Sequence, residues 1–385
     1  MDANRTFDLA GLSYLRTHSR TPGLAYALAV ADQVGRMVLG RAVAAQPPRL
    51  EGKTVVVSKV DHLGDLLMVT PLLVQLRSQV PTARIVLLVG GWSVPLARLL
   101  QDVGLCDGHV VRSPWALNAG APWWRRITDD LRTAHASLAE LARSAPAALL
   151  DLRPFTPNTL LLAHRLQVPY RVGFALRGLS YTLHTALPYD DDQPFGQLFL
   201  DALPALGLRG ATYEGPTFGP FASRLASVPL PDGVPTEPYV VVQPASRNAA
   251  RNAPLAAWQA LLAEVARTHT VVFLGGAGDA PTIAPLLPLV PATRRVDLTG
   301  RTSLAQLFRV CAGSAMAISV DSLMAHIGLA TQRPTLVLID RIRTPRASYP
   351  PERAGLRLVS KDAWPDDLRA AVQALLDSTS NKEAA

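Results

Sequence analysis

Cysteine is scarce in this sequence, and so are long apolar runs. Only two cysteines, Cys106 and Cys311, occur in 385 residues, and they lie far apart in apolar surroundings. This pattern excludes a disulfide framework and a cysteine-based metal site, and it is typical of a reducing cytoplasm. No run reaches the roughly 18 apolar residues of a transmembrane helix, and no signal-peptide cleavage site follows the apolar stretch 23–31. We therefore predict a cytoplasmic protein.

Charged residues are also few, at 18%, and basic residues outnumber acidic ones by 38 to 30. The resulting net charge of +8 favours anionic partners, namely nucleic acid, acidic lipid or phosphorylated substrates. The basic residues are scattered and form no block of the kind that binds nucleic acid. We therefore predict phosphorylated small molecules or anionic lipid surfaces as partners, and no nucleic acid.

The first 52 residues form an N-terminal extension, which we predict to be helical. Within it, residues 22–45 have the pattern of an amphipathic helix. Two interpretations remain open. The one that we favour is a helix packed on the following domain. The other is a peripheral contact with the inner face of the cytoplasmic membrane.

From residue 53 onward, apolar runs alternate with helical patterns in two separate series. Continuous apolar strands separated by helices are typical of a parallel sheet that helices cover on both faces. The predicted strands are 54–58, 84–89, 109–112, 147–152 and 170–174 in the first series, and 239–243, 270–275, 295–298, 315–319 and 335–339 in the second. A proline-rich stretch, residues 188–238, separates the two series and excludes long helices and central strands there.

The fold class predicted from this pattern is α/β, with two Rossmann-like domains that face each other and carry parallel sheets. The first domain is predicted at residues 53–215, the linker at 216–238 and the second domain at 239–385. In such folds ligands bind at the carboxyl ends of the strands.

Two strand–helix junctions, one in each half, carry polar side chains. The first is residues 58–65 and the second is residues 319–326. Free backbone N–H groups and the helix dipole favour an anion at such a junction. The two junctions therefore indicate a cleft that grips a phosphorylated donor on one side and activates an acceptor on the other.

In the first junction, Asp65 follows Gly64 at the turn into the helix. A carboxylate at this position can be a plain helix cap, and for Asp65 alone that is the simpler interpretation. It can also be a general base that accepts a proton from an acceptor hydroxyl. The same loop holds Lys59, Asp61 and His62, which a cap alone does not explain.

In the second half, residues 243–254 follow a strand and contain Ser246, Arg247 and Arg251. A serine and two arginines near backbone amides can form a diphosphate clamp, although the alternative is a solvated loop. The next strand leads into residues 275–279, which do not complete a G-x-G-x-x-G fingerprint because Pro281 takes its sixth position. Asp279 can still hold ribose hydroxyls.

The second junction contains Asp321, and Ser322 and His326 share one face of the following helix. A histidine on an apolar helix is commonly a core residue. Because His326 lies one turn into a helix whose N-terminus is open, we interpret it as a phosphate contact.

Together these residues resemble glycosyltransferase family 9, the lipopolysaccharide heptosyltransferases. Four segments carry the resemblance: the turn 61–65 with the following T-P-L-L of residues 70–73, the glycine turn 275–279, the T-S-L of residues 302–304, and the D-S-x-x-x-H of residues 321–326. The similarity extends over residues 53–340. It implies a GT-B fold and an inverting glycosyltransferase that needs no metal and no cofactor other than a nucleotide-sugar co-substrate of the ADP-heptose type.

The resemblance also implies roles for individual residues. Asp65 would be the catalytic base. The donor-binding residues would be Ser246, Arg247, Arg251, Asp321, Ser322 and His326 at the diphosphate, Asp279 at the ribose and Thr302 against the adenine. On the acceptor side we place Lys59, Asp61, His62, Gly64 and Arg153. The acceptor would be a glycan, glycolipid or glycoside hydroxyl, such as that of the lipopolysaccharide core.

The sequence also departs from the family pattern. Arg251 stands where the family has a lysine, Leu323 stands where it has a glycine, and Pro157 stands where it has a basic residue that serves the acceptor. Two rival functions therefore remain open. One is a GT-B-fold sugar-nucleotide epimerase or hydrolase, and the other is a non-catalytic protein that binds nucleotide or lipid.

Overall fold

The computed structural model describes residues 30, 32–35, 37–38, 46–112, 134, 136–137, 139–154, 163–164, 166–174, 180–190, 192–340, 348–351 and 355–383. The chain divides into two compact units, Met1–Tyr213 and Glu214–Ala385. Each unit is built on a six-stranded parallel sheet with helices, which confirms the α/β prediction. The two units are described separately below.

The sheet of the first unit has the strand order β3-β2-β1-β4-β5-β6. Its strands are β1 (Thr54–Lys59), β2 (Arg84–Val89), β3 (Gly108–Val111), β4 (Pro146–Asp151), β5 (Tyr170–Phe174) and β6 (Thr185–Leu187). Its labelled helices are α1 (Leu63–Leu67), α2 (Thr70–Gln79), α3 (Val94–Asp102), α4 (Phe195–Leu200) and α5 (Ala202–Ala205). Every residue of β1 is buried, as expected for a central strand covered on both faces. The first five strands were predicted, whereas β6 was not.

Residues 63–79 form two separate helices, α1 and α2, and not one continuous helix. The reason lies at Pro71, the second residue of α2. In a continuous helix the ring of Pro71 would clash with the carbonyl of Leu67, and its missing N–H would leave that carbonyl without its bond. Instead, the Thr70 hydroxyl donates to the Leu67 oxygen at 2.7 Å, and the chain turns between the two helices.

The described residues between 30 and 38 are helical and pack on the first unit. The Asp32 carboxylate accepts bonds from the backbone N–H and the hydroxyl of Ser180, at 2.7 and 2.6 Å. On the other side of this helix, the side chains of Val30, Val34, Met37 and Val38 are exposed. Among the described residues, no helix is long and apolar enough to cross a membrane.

The sheet of the second unit has the order β12-β11-β10-β7-β8-β9. Its strands are β7 (Tyr239–Gln243), β8 (Thr270–Phe273), β9 (Arg295–Asp297), β10 (Met316–Val320), β11 (Thr335–Ile339) and β12 (Leu356–Ser360). Its labelled helices are α6 (Leu255–Val265), α7 (Ala280–Ile283), α8 (Leu304–Ala312), α9 (Leu323–Ala330) and α10 (Pro365–Glu383). Trp258 and Leu261 of α6 share a core with Leu368 and Val372 of α10. Of the six strands, only β12 was not predicted.

The order of the strands reverses once in each unit. From β1 the chain proceeds to β2 and β3 on one side, and it then returns to place β4 on the other side of β1. The second unit repeats this pattern around β7, with β10 on its other side. In parallel sheets the crevice for a ligand opens at such a reversal, beside the carboxyl ends of the strands. The residues after β1, β4, β7 and β10 therefore border the crevice of their own unit.

Candidate active site

At the reversal in the first unit, one carboxylate joins two cations. Asp61 lies 2.7 Å from the Lys59 ammonium through one oxygen and 2.7 Å from Nε of Arg153 through the other. The Lys59 and Arg153 side chains are only 5% and 8% exposed. Lys59 also donates to the Leu152 oxygen. Burial alone would raise the pKa of Asp61, but the charges of Lys59 and Arg153 outweigh burial and hold that pKa below its usual value.

A second carboxyl group lies in the same place. Asp151 ends β4, pairs with Ser58 of β1 and is almost completely buried. Burial raises the pKa of Asp151 to about 7, and the positive charge of Arg153 only partly opposes this effect. Asp151 therefore changes its charge near neutral pH, which no sequence pattern indicated.

Asp65 follows on α1 and is partly buried. One of its carboxylate oxygens accepts the backbone N–H of His62 at 3.1 Å, which is the contact of a helix cap. His62 is exposed, and its ring centroid lies 6.0 Å from that of Trp92. The backbone oxygen of Gly64 accepts the N–H of Met68 at the end of α1. Because the capping bond uses a single oxygen of a partly exposed carboxylate, the cap and base interpretations of Asp65 are compatible.

In the second unit, the loop after β7 lies beside the loop after β10. The Arg251 guanidinium donates to the backbone oxygen of Asp321 at 3.2 Å and lies 3.3 Å from one of its carboxylate oxygens. Arg251 remains 44% exposed, and Arg247 is exposed as well. The backbone N–H of Ser246 donates to the Asn252 side chain at 2.9 Å, which closes the loop on itself. The structure thus brings the predicted arginine and Asp321 together at the reversal.

The side chain of Ser322 turns away from the helix that it precedes. Its hydroxyl donates to the Gln243 side chain at 2.8 Å and lies 2.9 Å from the Ser319 hydroxyl. It makes no capping bond to α9. Ser322 therefore ties the end of β7 to the end of β10, and its hydroxyl leaves the first turn of α9 without a side-chain cap.

Asp279 and Thr302 lie on the loops after β8 and β9. One oxygen of Asp279 accepts the N–H of Gly276 at 2.8 Å, and Thr302 directly precedes the N-cap residue of α8. The two loops touch, since the N–H of Gly300 donates to the Gly275 oxygen at 2.8 Å. The predicted donor residues thus lie after β10, β7, β8 and β9, which are neighbours in the sheet. They therefore lie together at the carboxyl ends of the strands of the second sheet, which we call the donor edge.

Several residues at these sites had escaped prediction. Gln243 bonds to Ser322, and Asn252 bonds to Ser246. Tyr349 contacts both Asp321 and His326. Gln243 was the easiest to find because it is the polar residue that ends an apolar strand, whereas no motif surrounds Tyr349. Pro157, which stands where the family has a basic residue that serves the acceptor, lies outside the described residues.

Within the described part of the chain, no group of three or more histidine, cysteine, aspartate or glutamate side chains is placed to hold a metal ion.

Comparison with known proteins agrees with the resemblance. Residues 222–346 match the family model described as glycosyltransferase family 9 (heptosyltransferase). Every predicted donor-binding residue lies within this range. No curated protein sequence matches the chain.

Solved structures support the fold. A glycosyl transferase family 9 protein of Veillonella parvula DSM 2008 has a TM-score of 0.68 at 17% identity, over 86% of this chain and 99% of its own. The E. coli ADP-heptose lps heptosyltransferase II has a TM-score of 0.60 at 18% identity, over 86% and 100%. The E. coli heptosyltransferase WaaC, solved with ADP-2-deoxy-2-fluoro heptose, has a TM-score of 0.64 at 17% identity, over 84% and 99%.

At such identities these likenesses establish the fold, while the family model matches residues 222–346 only. The predictions of the family, of the fold class and of a glycosyltransferase are confirmed. Residues 222–346 match the glycosyltransferase family 9 (heptosyltransferase) model, and the chain has the GT-B fold.

Proposed function

We propose that the protein is an inverting, metal-independent glycosyltransferase that moves a heptose-type sugar from an ADP-activated donor to an acceptor hydroxyl. The acceptor would be a glycan, glycolipid or glycoside, such as the lipopolysaccharide core. The observation that carries this proposal is the alignment of the predicted donor residues along four adjacent strand ends, around the reversal of the second sheet. The same residues fall within the family match.

The charges at this edge suit a nucleotide diphosphate. Arg251 is anchored by Asp321 and still reaches solvent, so its guanidinium can pair with phosphate oxygens. The first turn of α9 receives no bond from the Ser322 side chain, and its backbone amides favour an anion. Such fixed donors stabilise the charge that develops on the departing diphosphate. The solved complex of WaaC with an ADP-heptose analogue supports ADP-heptose as the donor class.

We assign Asp65 as the base that takes the proton of the acceptor hydroxyl when that oxygen attacks the anomeric carbon. Lys59 and Arg153 are nearly buried and paired with Asp61. We therefore propose that they hold the loop that carries Asp65, rather than offer free charge to the acceptor. Asp61, His62 and Gly64 complete that loop. Pro157 replaces the basic residue of the family pattern, so the acceptor is expected to carry less negative charge near this position.

The proposal is tested first by calorimetry against ADP, UDP, GDP and dTDP. Selective binding of ADP is expected, and it would justify a screen of ADP-sugars against acceptors. Consumption of donor at full rate without an acceptor would instead indicate the epimerase or hydrolase. Nucleotide binding with no turnover on any acceptor would indicate the non-catalytic protein.

The role of Asp65 is tested by two variants with the active donor and acceptor pair. Asp65→Ala is expected to lower turnover by about 10²–10⁴-fold, the usual contribution of a general base, and to leave ADP affinity unchanged. Asp65→Asn is the sharper test, because its amide oxygen can still accept the His62 N–H but cannot take a proton. Near-normal turnover of Asp65→Asn would show that Asp65 is only a cap.

We further propose a peripheral contact with the membrane through the extension at residues 22–45. The support is the exposed apolar face formed by Val30, Val34, Met37 and Val38, which repeats at helical spacing. The protein is expected to co-sediment with vesicles of anionic phosphatidylglycerol. If a Val34→Asp/Met37→Asp variant co-sediments with the vesicles to the same extent, this contact is contradicted.

A further inference from the structure

A tyrosine outside every recognised motif contacts two of the predicted donor residues at once. The hydroxyl of Tyr349 donates to one carboxylate oxygen of Asp321 at 2.7 Å. Its ring lies nearly parallel to the His326 imidazole, with centroids 5.0 Å apart and planes 12° apart. The Tyr349 side chain is only 1% exposed, so its position is set by the surrounding protein.

Through Asp321, the same tyrosine reaches Arg251. The hydroxyl of Tyr349 holds one oxygen of the carboxylate, and the other oxygen lies 3.3 Å from the Arg251 guanidinium. A carboxylate that is fixed at one oxygen presents its second oxygen in a defined direction. Because Arg251 has a long side chain and is 44% exposed, this carboxylate contact and its bond to the Asp321 backbone oxygen together decide where its charge lies.

The stack on His326 is a second constraint of the same kind. His326 is 6% exposed, and the Tyr349 ring covers one face of its imidazole. Ring packing of this type fixes the orientation of both side chains. One tyrosine therefore orients three donor residues: Asp321 by a hydrogen bond, His326 by stacking and Arg251 through Asp321.

We infer that Tyr349 is a positioning residue for the diphosphate of the nucleotide donor, acting through Asp321, His326 and Arg251. This inference rests on the proposed donor site in the second unit. A hydroxyl bonded to a charged acceptor is among the stronger neutral–ion hydrogen bonds, so its loss is expected to be measurable in affinity.

The test is the variant Tyr349→Phe, which removes the hydroxyl and keeps the ring. Calorimetry is expected to show a rise of about tenfold in the Kd for ADP, equivalent to about 1.4 kcal/mol. The Kd for AMP is expected to change by less than about twofold, because AMP lacks the second phosphate and gains little from an ordered Arg251. A loss that is specific to the diphosphate separates positioning from general loosening.

The chain offers a matched control in Tyr239→Phe. Tyr239 begins β7, is 5% exposed, and donates its hydroxyl to the Val310 oxygen at 2.7 Å. It lies in the same unit but at the amino end of its strand, opposite the donor edge. Removal of this hydroxyl is expected to leave both affinities unchanged. Equal losses of ADP affinity in Tyr349→Phe and Tyr239→Phe would overturn the inference, as would wild-type affinity in Tyr349→Phe.

A double-mutant cycle with Asp321→Asn tests whether Tyr349 acts through the charge of Asp321. When Tyr349 acts through the Asp321 charge, Tyr349→Phe is expected to lower ADP affinity much less in the Asp321→Asn background than in the wild type. Additive losses of ADP affinity in the double variant would overturn the inference. A wild-type protein that binds no nucleotide would overturn the proposed function and the inference together. If another nucleotide binds more tightly, that diphosphate and its monophosphate replace ADP and AMP.

Discussion

The buried carboxyl group of Asp151 makes the stability of the first unit depend on pH, and Asp151→Asn should remove that dependence. Burial raises the pKa of Asp151 from its ordinary 3.8 to about 7 in the folded protein. Between these values the folded state binds a proton that the unfolded state has lost. The contribution of Asp151 to stability is therefore greatest below pH 4, falls as the pH rises towards 7, and is fully lost above 7.

The size of the effect follows from the two pKa values. A difference of about three pH units corresponds to roughly 4 kcal/mol at 1.36 kcal/mol for each unit. The asparagine of the Asp151→Asn variant has nearly the shape of the neutral acid and does not titrate. The free energies of unfolding of wild type and Asp151→Asn should thus be similar near pH 4, and the variant should become more stable by up to about 4 kcal/mol at pH 8.

Urea unfolding at several pH values between 4.5 and 8.5 measures this difference. Unfolding is followed by tryptophan fluorescence, to which Trp92 of the first unit contributes. Asp107→Asn controls for the loss of a carboxylate as such, because Asp107 is 38% exposed and paired with Arg77. A constant difference between wild type and Asp151→Asn across this range would refute the reasoning.

Two further predictions concern the loops at the carboxyl ends of the strands. Asp61→Asn leaves the cations of Lys59 and Arg153 buried without their charged partner, so it should lower the free energy of unfolding by about 3 kcal/mol. Urea unfolding at pH 7 measures this change. A loss below about 1 kcal/mol would contradict a tight pairing. Gly300 has a φ of +69°, and a Cβ there would lie 3.1 Å from Ala277. Gly300→Ala should therefore cost roughly 1–3 kcal/mol and weaken ADP binding, while calorimetry showing unchanged affinity would separate this loop from the donor site.

The central strands could be predicted from sequence because their burial is nearly complete. The runs at β1 and β7 each contain three consecutive valines, and turn residues bound them clearly. Two of the four edge strands, β6 and β12, were not predicted; their burial is partial and their apolar runs are short or interrupted by polar residues. Pairing with a neighbouring strand, which no local pattern records, makes these segments extended.

Contacts within the candidate site were even harder to predict from local sequence. The motifs predicted Asp321 and His326, but Tyr349 lies 28 positions from Asp321 and follows no motif. Likewise, Arg153 pairs with Asp61 from the end of a different strand. Such contacts depend on which strands become neighbours in the sheet. Sequence spacing predicts residues on one element, whereas the partners that orient them come from elsewhere in the fold.

The two strand–helix junctions look alike in sequence, but their electrostatics differ in the structure. In the first, α1 has only five residues, and the Asp65 carboxylate accepts a hydrogen bond from the backbone N–H of His62. Asp61 pairs with both Lys59 and Arg153. Little positive charge is left there for a phosphate. In the second, Arg251 is solvent-accessible and α9 begins without a side-chain cap. The second junction is therefore the one suited to a phosphate, and the first is suited to a carboxylate that removes a proton from an acceptor, as we propose for Asp65.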